Sequence, residues 1–337
     1  MLISIIIPVY QTEALLPRTL DSIKEQSYSS IEVVIISDGA TQLCDQIVEE
    51  YREFLNISYV QLPENKGRLI ARIEGIKAAK GEYIAFCDAD DYLEPEMLQR
   101  MQEVAEETSA DIVHCKARIV QQDQRKEIWY SHLPVFMELE GSEILERFLD
   151  NQIIWSLWDK LFSREVLARV VQELPYIRQQ LNEDLMISCA AFYYAELYAS
   201  VNEPLYNYVI REKAITSQKD YRNLPDIARS LVFVKSFLSE RAGLQFRDFP
   251  LYDHTSMWFA RFLHHVPEEE KEELFNQVYD IYGQDHWYEL LDSLEKYITW
   301  YIENIEKSNA YKVGSGIKAL YYKVFPVEWI RKNFHVE

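Results

Sequence analysis

The stretch EYIAFCDADDYLEP, residues 82–95, runs a short apolar segment, Tyr83 to Cys87, straight into three carboxylates, Asp88, Asp90 and Asp91. Apolar runs of similar length recur on its N-terminal side as ISIIIPV (3–9), IEVVIIS (31–37) and ISYVQL (57–62), and beyond it as DIVHC (111–115). Helical patterns fill the gaps at 16–26, 42–54, 68–79 and 95–108. Short β-branched runs separated by helices predict an α/β, Rossmann-like fold with a mostly parallel sheet buried on both faces and flanked by helices. In such sheets ligands bind beyond the carboxyl ends of the strands. Pro8-Val9-Tyr10, Ser37-Asp38-Gly39 and the acids at 88–91 all fall there, which predicts one shared crevice.

The chain has 337 residues, 48% of them hydrophobic, and carries a net charge of −20. So acidic a balance argues against non-specific nucleic-acid binding, which needs a basic face. An anionic substrate would then require a cation or a few placed Arg and Lys. Cys44, Cys87, Cys115 and Cys189 form no CxxC pair, so reduced core thiols are expected rather than a zinc or disulfide framework. The first strand lacks a basic leader and a cleavage site, and no apolar run reaches the roughly 18 residues of a spanning helix. A cytoplasmic chain is expected. From about 116 to 210 the pattern is mixed. After about 220 it is helical and rich in aromatics, with a soft boundary near 215–222.

Asp88 and Asp90 are separated by one residue, so in extended chain their side chains point the same way and would share a divalent cation. Mg2+ or Mn2+, with a diphosphate as its other ligand, would offset the crowded charges. The alternative is an acid-rich helix start in which Asp91 caps a helix beginning near Pro95.

Three stretches matter together: ISIIIPVYQTEALLPRTLDSIKEQSY, VVIISDG and ENKGRLIARIEGIKAAKGEYIAFCDADDYLEP. In order and spacing they resemble glycosyltransferase family 2, the nucleotide-sugar enzymes of GT-A fold. The resemblance is strong over 2–120 and looser over 150–217. It implies a catalytic domain at 1–217, with a nucleotide half (about 1–120) and an acceptor half (about 121–217), followed by a helical region at 218–337. It further implies inverting, metal-dependent transfer of a sugar from a UDP-sugar, in bacterial cell-wall, capsule or surface-glycoprotein synthesis.

Carried over by position, Pro8, Val9 and Tyr10 would line the nucleotide pocket, with Glu13 near the ribose and Asp38 accepting the uracil N–H. Asn65 and Gly67 would let the backbone approach the nucleotide, and Arg72 would support that wall. Asp88 and Ala89 would touch the nucleotide, and Asp90, with Asp88, would hold Mn2+ or Mg2+. Asp184 is expected as the base that draws the proton from the acceptor, with Glu183 positioning it; swapped roles stay open. Trp155 or Trp158 would stack on the acceptor sugar. Asp91 and Lys160 would face acceptor or phosphate, Lys160 alternatively supporting the acidic pair. Arg211 would neutralise the leaving diphosphate. Ala40 and Ile73 depart from the family's usual Ser and Asn, and Ala214 from its usual Ser.

In the last helix Lys312, Lys318, Lys323, Arg331 and Lys332 interleave with Tyr321, Tyr322, Phe325 and Trp329. Such a segment suits an anionic membrane surface, placing the chain peripherally on the inner face of the plasma membrane beside a glycan, lipid-linked or protein acceptor. Docking onto the protein itself or a second subunit, giving a homo-oligomer, is the competing expectation. Two other classes fit a parallel sheet with carboxylates: a nucleotidyltransferase, against which the missing Gly-rich basic loop speaks, and a non-catalytic nucleotide-sugar-binding protein.

Overall fold

A computed structural model describes residues 1–39, 41–121, 138–211, 220–252, 254–255, 262 and 266–283. The expectations for Ala40, Ala214 and the basic tail at 311–337 lie outside the described residues.

The apolar runs form β1 (Ile3–Val9), β2 (Ile31–Asp38), β3 (Ile57–Leu62) and β4 (Tyr83–Phe86), paired in parallel in the order β3-β2-β1-β4. They read as unbroken apolar runs because both sheet faces are covered: Ile5, Ile6, Val33 and Val34 are all buried. Helices α1 (Leu16–Lys24), α2 (Gln42–Tyr51) and α3 (Arg68–Ala78) make the crossovers. Helix α3 sits so close to the sheet that a Cβ on Gly75 would run into the side chain of Ile6. Ile73, at a family departure, is likewise core.

At β4 the pairing changes sense. Strand β8 (Lys160–Ser163) lies antiparallel between β4 and β6 (Ile112–Gln121), and β9 (Leu197–Ile210) runs parallel to β6. Strands β5 (Tyr92–Leu93) and β7 (Glu138–Glu140) add antiparallel pairs on β9. The sheet is therefore parallel under the nucleotide half and mixed under the other half. Helices α4 (Met97–Thr108), α5 (Ser142–Leu149), α6 (Arg164–Glu173) and α7 (Glu183–Tyr194) flank it.

Strand β9 is longer than the PLYNYVI run that announces it. A proline within a strand argues for a break, and here the ladder absorbs it by a register shift: Cys115 pairs Val201, Lys116 pairs Pro204 and Ala117 pairs Tyr206. Beyond the shift Tyr206 faces the acids that follow β4.

All four cysteines are free and buried. The chain divides into two compact units, residues 1–218 with 236–244, and residues 219–235 with 245–337. The sheet belongs to the first unit. The second takes in most of helix α8 (Leu224–Phe237), whose Leu224, Ile227, Ala228, Leu231 and Val234 are buried. Among the described residues no helix is long and apolar enough to cross a membrane.

Candidate active site

Strands β1, β2 and β4 run in parallel, so their carboxyl ends share one edge. At the end of β1 alternation sends Val9 into the core and leaves Pro8 and Tyr10 accessible, Tyr10 by 40%. Val9 therefore offers the expected pocket only its backbone. The same correction holds for Ala89, which is 2% exposed and packs in the core. Glu13 accepts a hydrogen bond from Thr41 Oγ1 at 3.1 Å.

At the end of β2 the Asp38 carboxylate is already committed. Its Oδ1 accepts Lys66 N–H at 2.6 Å and its Oδ2 accepts Gly67 N–H at 2.9 Å. Burial raises the Asp38 carboxyl, and these two bonds oppose the rise. Asp38 thus ties β2 to the 65–67 loop, with one hydrogen bond accepted on each of its carboxylate oxygens. Gly67 is required there: its φ is +91°, and a Cβ would lie 2.6 Å from Gln179 O and 2.7 Å from Gln179 N. Beside it Asn65 Oδ1 accepts from Gln180 Nε2 at 2.5 Å, while its Nδ2 is buried without a hydrogen-bond partner.

Beyond β4, carboxylate oxygens of Asp88, Asp90 and Asp91 lie within 4.8 Å of one another. Their partners separate them. Asp91, 1% exposed, accepts Tyr206 Oη–H at 2.8 Å and Val209 N–H at 2.8 Å, so it anchors the loop to β9. It caps no helix, since α4 starts at Met97 behind Glu96, and its buried carboxylate is spent on β9. The same Tyr206 hydroxyl accepts Asp88 N–H at 3.2 Å. From helix α1, Thr19 Oγ1 donates to Asp91 O at 2.7 Å and Arg18 donates to Asp90 O.

The loop so clamped presents Asp88 and Asp90. Asp88 Oδ1 accepts from Arg72 Nη2 at 3.2 Å, and Asp90 Oδ2 is paired with Arg211. Among the described residues one oxygen of each carboxylate is left over. Burial would raise the Asp88 carboxyl, but Arg68 and Arg72 together hold it below its ordinary value. Asp90 is raised by burial and by Asp88 despite Arg211, so its negative charge is under-compensated. Two free oxygens from hard ligands at a site short of positive charge fit Mg2+ or Mn2+.

The acidic pair opens helix α7. Asn182 precedes it in the left-handed region, φ +66°, without a side-chain cap bond. Glu183, 2% exposed, accepts from Arg72 Nη1 at 2.6 Å. Arg72 is itself 2% exposed and joins Glu183 to Asp88, so it links the two acidic groups rather than merely lining a wall. Among the described residues Asp184 has no such partner; its Oδ1 accepts Leu185 N–H at 2.9 Å. Burial and the neighbouring Glu183 push its carboxyl up to about 7, against the pull of Arg72 and Arg68.

Lys160 is fully buried, its Nζ held by Asp159 Oδ1 at 2.8 Å and Ser156 O at 2.7 Å. Asp159 Oδ2 in turn meets His114 Nε2 at 2.9 Å, and burial and Lys160 lower that imidazole to about 4. This buried group rules out the phosphate contact considered for Lys160 and leaves it as support beneath Asp184, whose charge it feels. Trp158, 8% exposed, stacks on Tyr206 and Tyr208 with centroids 4.7 and 5.5 Å away, so it belongs to the sheet face rather than to a sugar platform. Trp155 is half-buried, and its carbonyl accepts from Ser188 Oγ at 2.8 Å.

Sequence reasoning missed Arg68. It opens helix α3 one turn before Arg72, and it feels the charges of Asp88, Glu183, Asp90 and Asp184. Its spacing of four from Arg72 was the available signal.

Residues 4–170 match the profile described as Glycosyl transferase family 2. The putative glycosyltransferase EpsH of Bacillus subtilis is 29% identical over 218 residues, 64% of this chain and 63% of that one. EpsJ of the same organism, described as an uncharacterized glycosyltransferase, is 32% identical over 223 residues, with the same shares. The chain thus spans under two thirds of the length of these relatives. The crystal structure of S. aureus TarS 1-349 in complex with UDP-GlcNAc superposes with a TM-score of 0.65 at 23% identity, covering 83% of this chain and 80% of that one. The matching sequence blocks and the shared sheet make this chain a glycosyltransferase of family 2, with the GT-A fold.

Proposed function

We propose that the chain transfers a sugar from a UDP-sugar to a hydroxyl of a surface-glycan acceptor, with inversion at the anomeric carbon. One observation carries this reading: a metal-competent carboxylate pair, Asp88 with Asp90, and an acidic pair, Glu183 with Asp184, are joined through one buried guanidinium, Arg72. That arrangement supplies a donor side and an acceptor side. The TarS structures with UDP and UDP-GlcNAc support the choice of UDP as the carrier.

Asp90 and Asp88 would hold Mg2+ or Mn2+ through their remaining oxygens; when bound, the ion supplies positive charge to the donor diphosphate. Pro8, Tyr10 and the 65–67 loop form the nucleotide wall. Asp184 accepts the proton of the acceptor hydroxyl as that oxygen attacks, because its carboxyl titrates near neutrality and carries no ion pair. Glu183 is pinned by Arg72 and holds the start of α7 in place. Arg211, now on Asp90, moves to the leaving diphosphate. The basic, aromatic tail at 311–337 attaches the enzyme to the inner membrane surface.

The test is UDP release from a panel of UDP-sugars by wild type and Asp184→Asn. Transfer lost in the variant, with UDP affinity retained, is the expected result. Equal turnover by both proteins would remove Asp184 from the reaction, and pyrophosphate as the product would replace sugar transfer with nucleotidyl transfer.

A further inference from the structure

The diphosphate needs cationic help from the protein, and Arg72 is already committed to two carboxylates. Both terminal nitrogens of Arg72 are engaged, Nη1 by Glu183 and Nη2 by Asp88. Arg68 differs. It stands four residues earlier on α3, hence on the same helix face and about 6 Å nearer the helix start. It directly follows Gly67, in the loop that Asp38 holds against β2. Its side chain is partly exposed, and it makes no hydrogen bond or ion pair among the described residues.

A guanidinium serving only as counter-charge would close on one of the carboxylates it faces. Arg68 instead shares the face of α3 from which Arg72 reaches Asp88 and Glu183, feels the charges of both acidic pairs, and closes on none of them among the described residues. Phosphate oxygens match such a planar fork in two-point contact better than any other group a nucleotide brings.

Given the UDP-sugar reading above, we infer that Arg68 binds the diphosphate of the nucleotide donor, while Arg72 is held by Asp88 and Glu183.

The experiment is calorimetric titration of wild type, Arg68→Gln and Arg68→Lys with UDP and, separately, with uridine, all in Mn2+. Arg68→Gln should weaken UDP about ten- to a hundredfold, as expected for charge-assisted hydrogen bonds to phosphate, and leave uridine unchanged. Arg68→Lys should recover part of the loss. Unchanged UDP affinity in Arg68→Gln, or equal weakening of UDP and uridine, overturns the assignment while wild-type UDP binding keeps the donor reading intact. Wild type that binds neither UDP nor uridine overturns both.

Discussion

Replacing Asp184 by Asn should make the protein more stable, and the gain should depend on pH. The Asp184 carboxyl titrates at about 7 in the folded protein against an ordinary 3.8. Its folded value is raised, so the folded state holds a proton that the unfolded state has already lost between those two pH values. This residue's contribution is therefore intact below about pH 4 and is lost as the pH rises through 7. A difference of about three pH units, at about 1.4 kcal/mol each, sets a ceiling near 4 kcal/mol. The side chain is partly exposed and its surroundings relax, so about half of that is expected. Asn keeps the oxygen that accepts Leu185 N–H and has no charge to bury. Urea unfolding should show Asp184→Asn more stable than wild type by about 2 kcal/mol at pH 8, equivalent to about 4–8 °C in Tm. At pH 5 the gap should fall below half of that. A variant no more stable at pH 8, or a gap that does not change with pH, would refute the buried-base argument.

Gly67→Ala forces a residue with a Cβ to φ +91° and against the backbone of Gln179, so urea unfolding should show a loss of more than about 2 kcal/mol, with UDP affinity falling as the 65–67 loop shifts. Lys160→Met breaks a buried ion pair from one side; it should cost about 3–5 kcal/mol by denaturant titration and leave UDP affinity unaltered, whereas a phosphate-binding Lys160 would give the reverse. Asp159 is held at about 2 by Lys160 and His114 against its burial, and its lowered value means this ion-pair stability is present above about pH 4. Wild type should therefore lose it as the pH falls toward 2, a loss that acid titration followed by near-UV circular dichroism would register.

The parallel half was legible because strands buried on both faces must be apolar throughout, and their carboxyl ends then mark the site edge. The antiparallel insertion of β8 and the length of β9 were not, since KLFS is only four residues long and Pro204 hides a strand that continues through a register shift. Orientation was partly readable: alternation along β1 already separates Val9 from Pro8 and Tyr10. The division of labour among Asp88, Asp90 and Asp91 was not, because it depends on Tyr206 and Val209, more than a hundred residues away in the chain. Lys160 shows the same limit. From sequence Lys160 serves equally as a phosphate contact or as support for the acidic pair, and the choice is made only where Asp159, His114 and Ser156 close around it. Arg68 was overlooked because the first residue of a helix is ordinarily solvated, and the acids that face it come from β4 and α7.

The central claim is that Asp90 makes donor turnover dependent on a divalent cation. UDP release from the best UDP-sugar, measured with Mn2+ and again with chelator for wild type and Asp90→Ala, tests it most directly. The account predicts release by wild type in Mn2+ alone, with chelated wild type and Asp90→Ala both near background; release that survives chelation and the Asp90→Ala change together would contradict it.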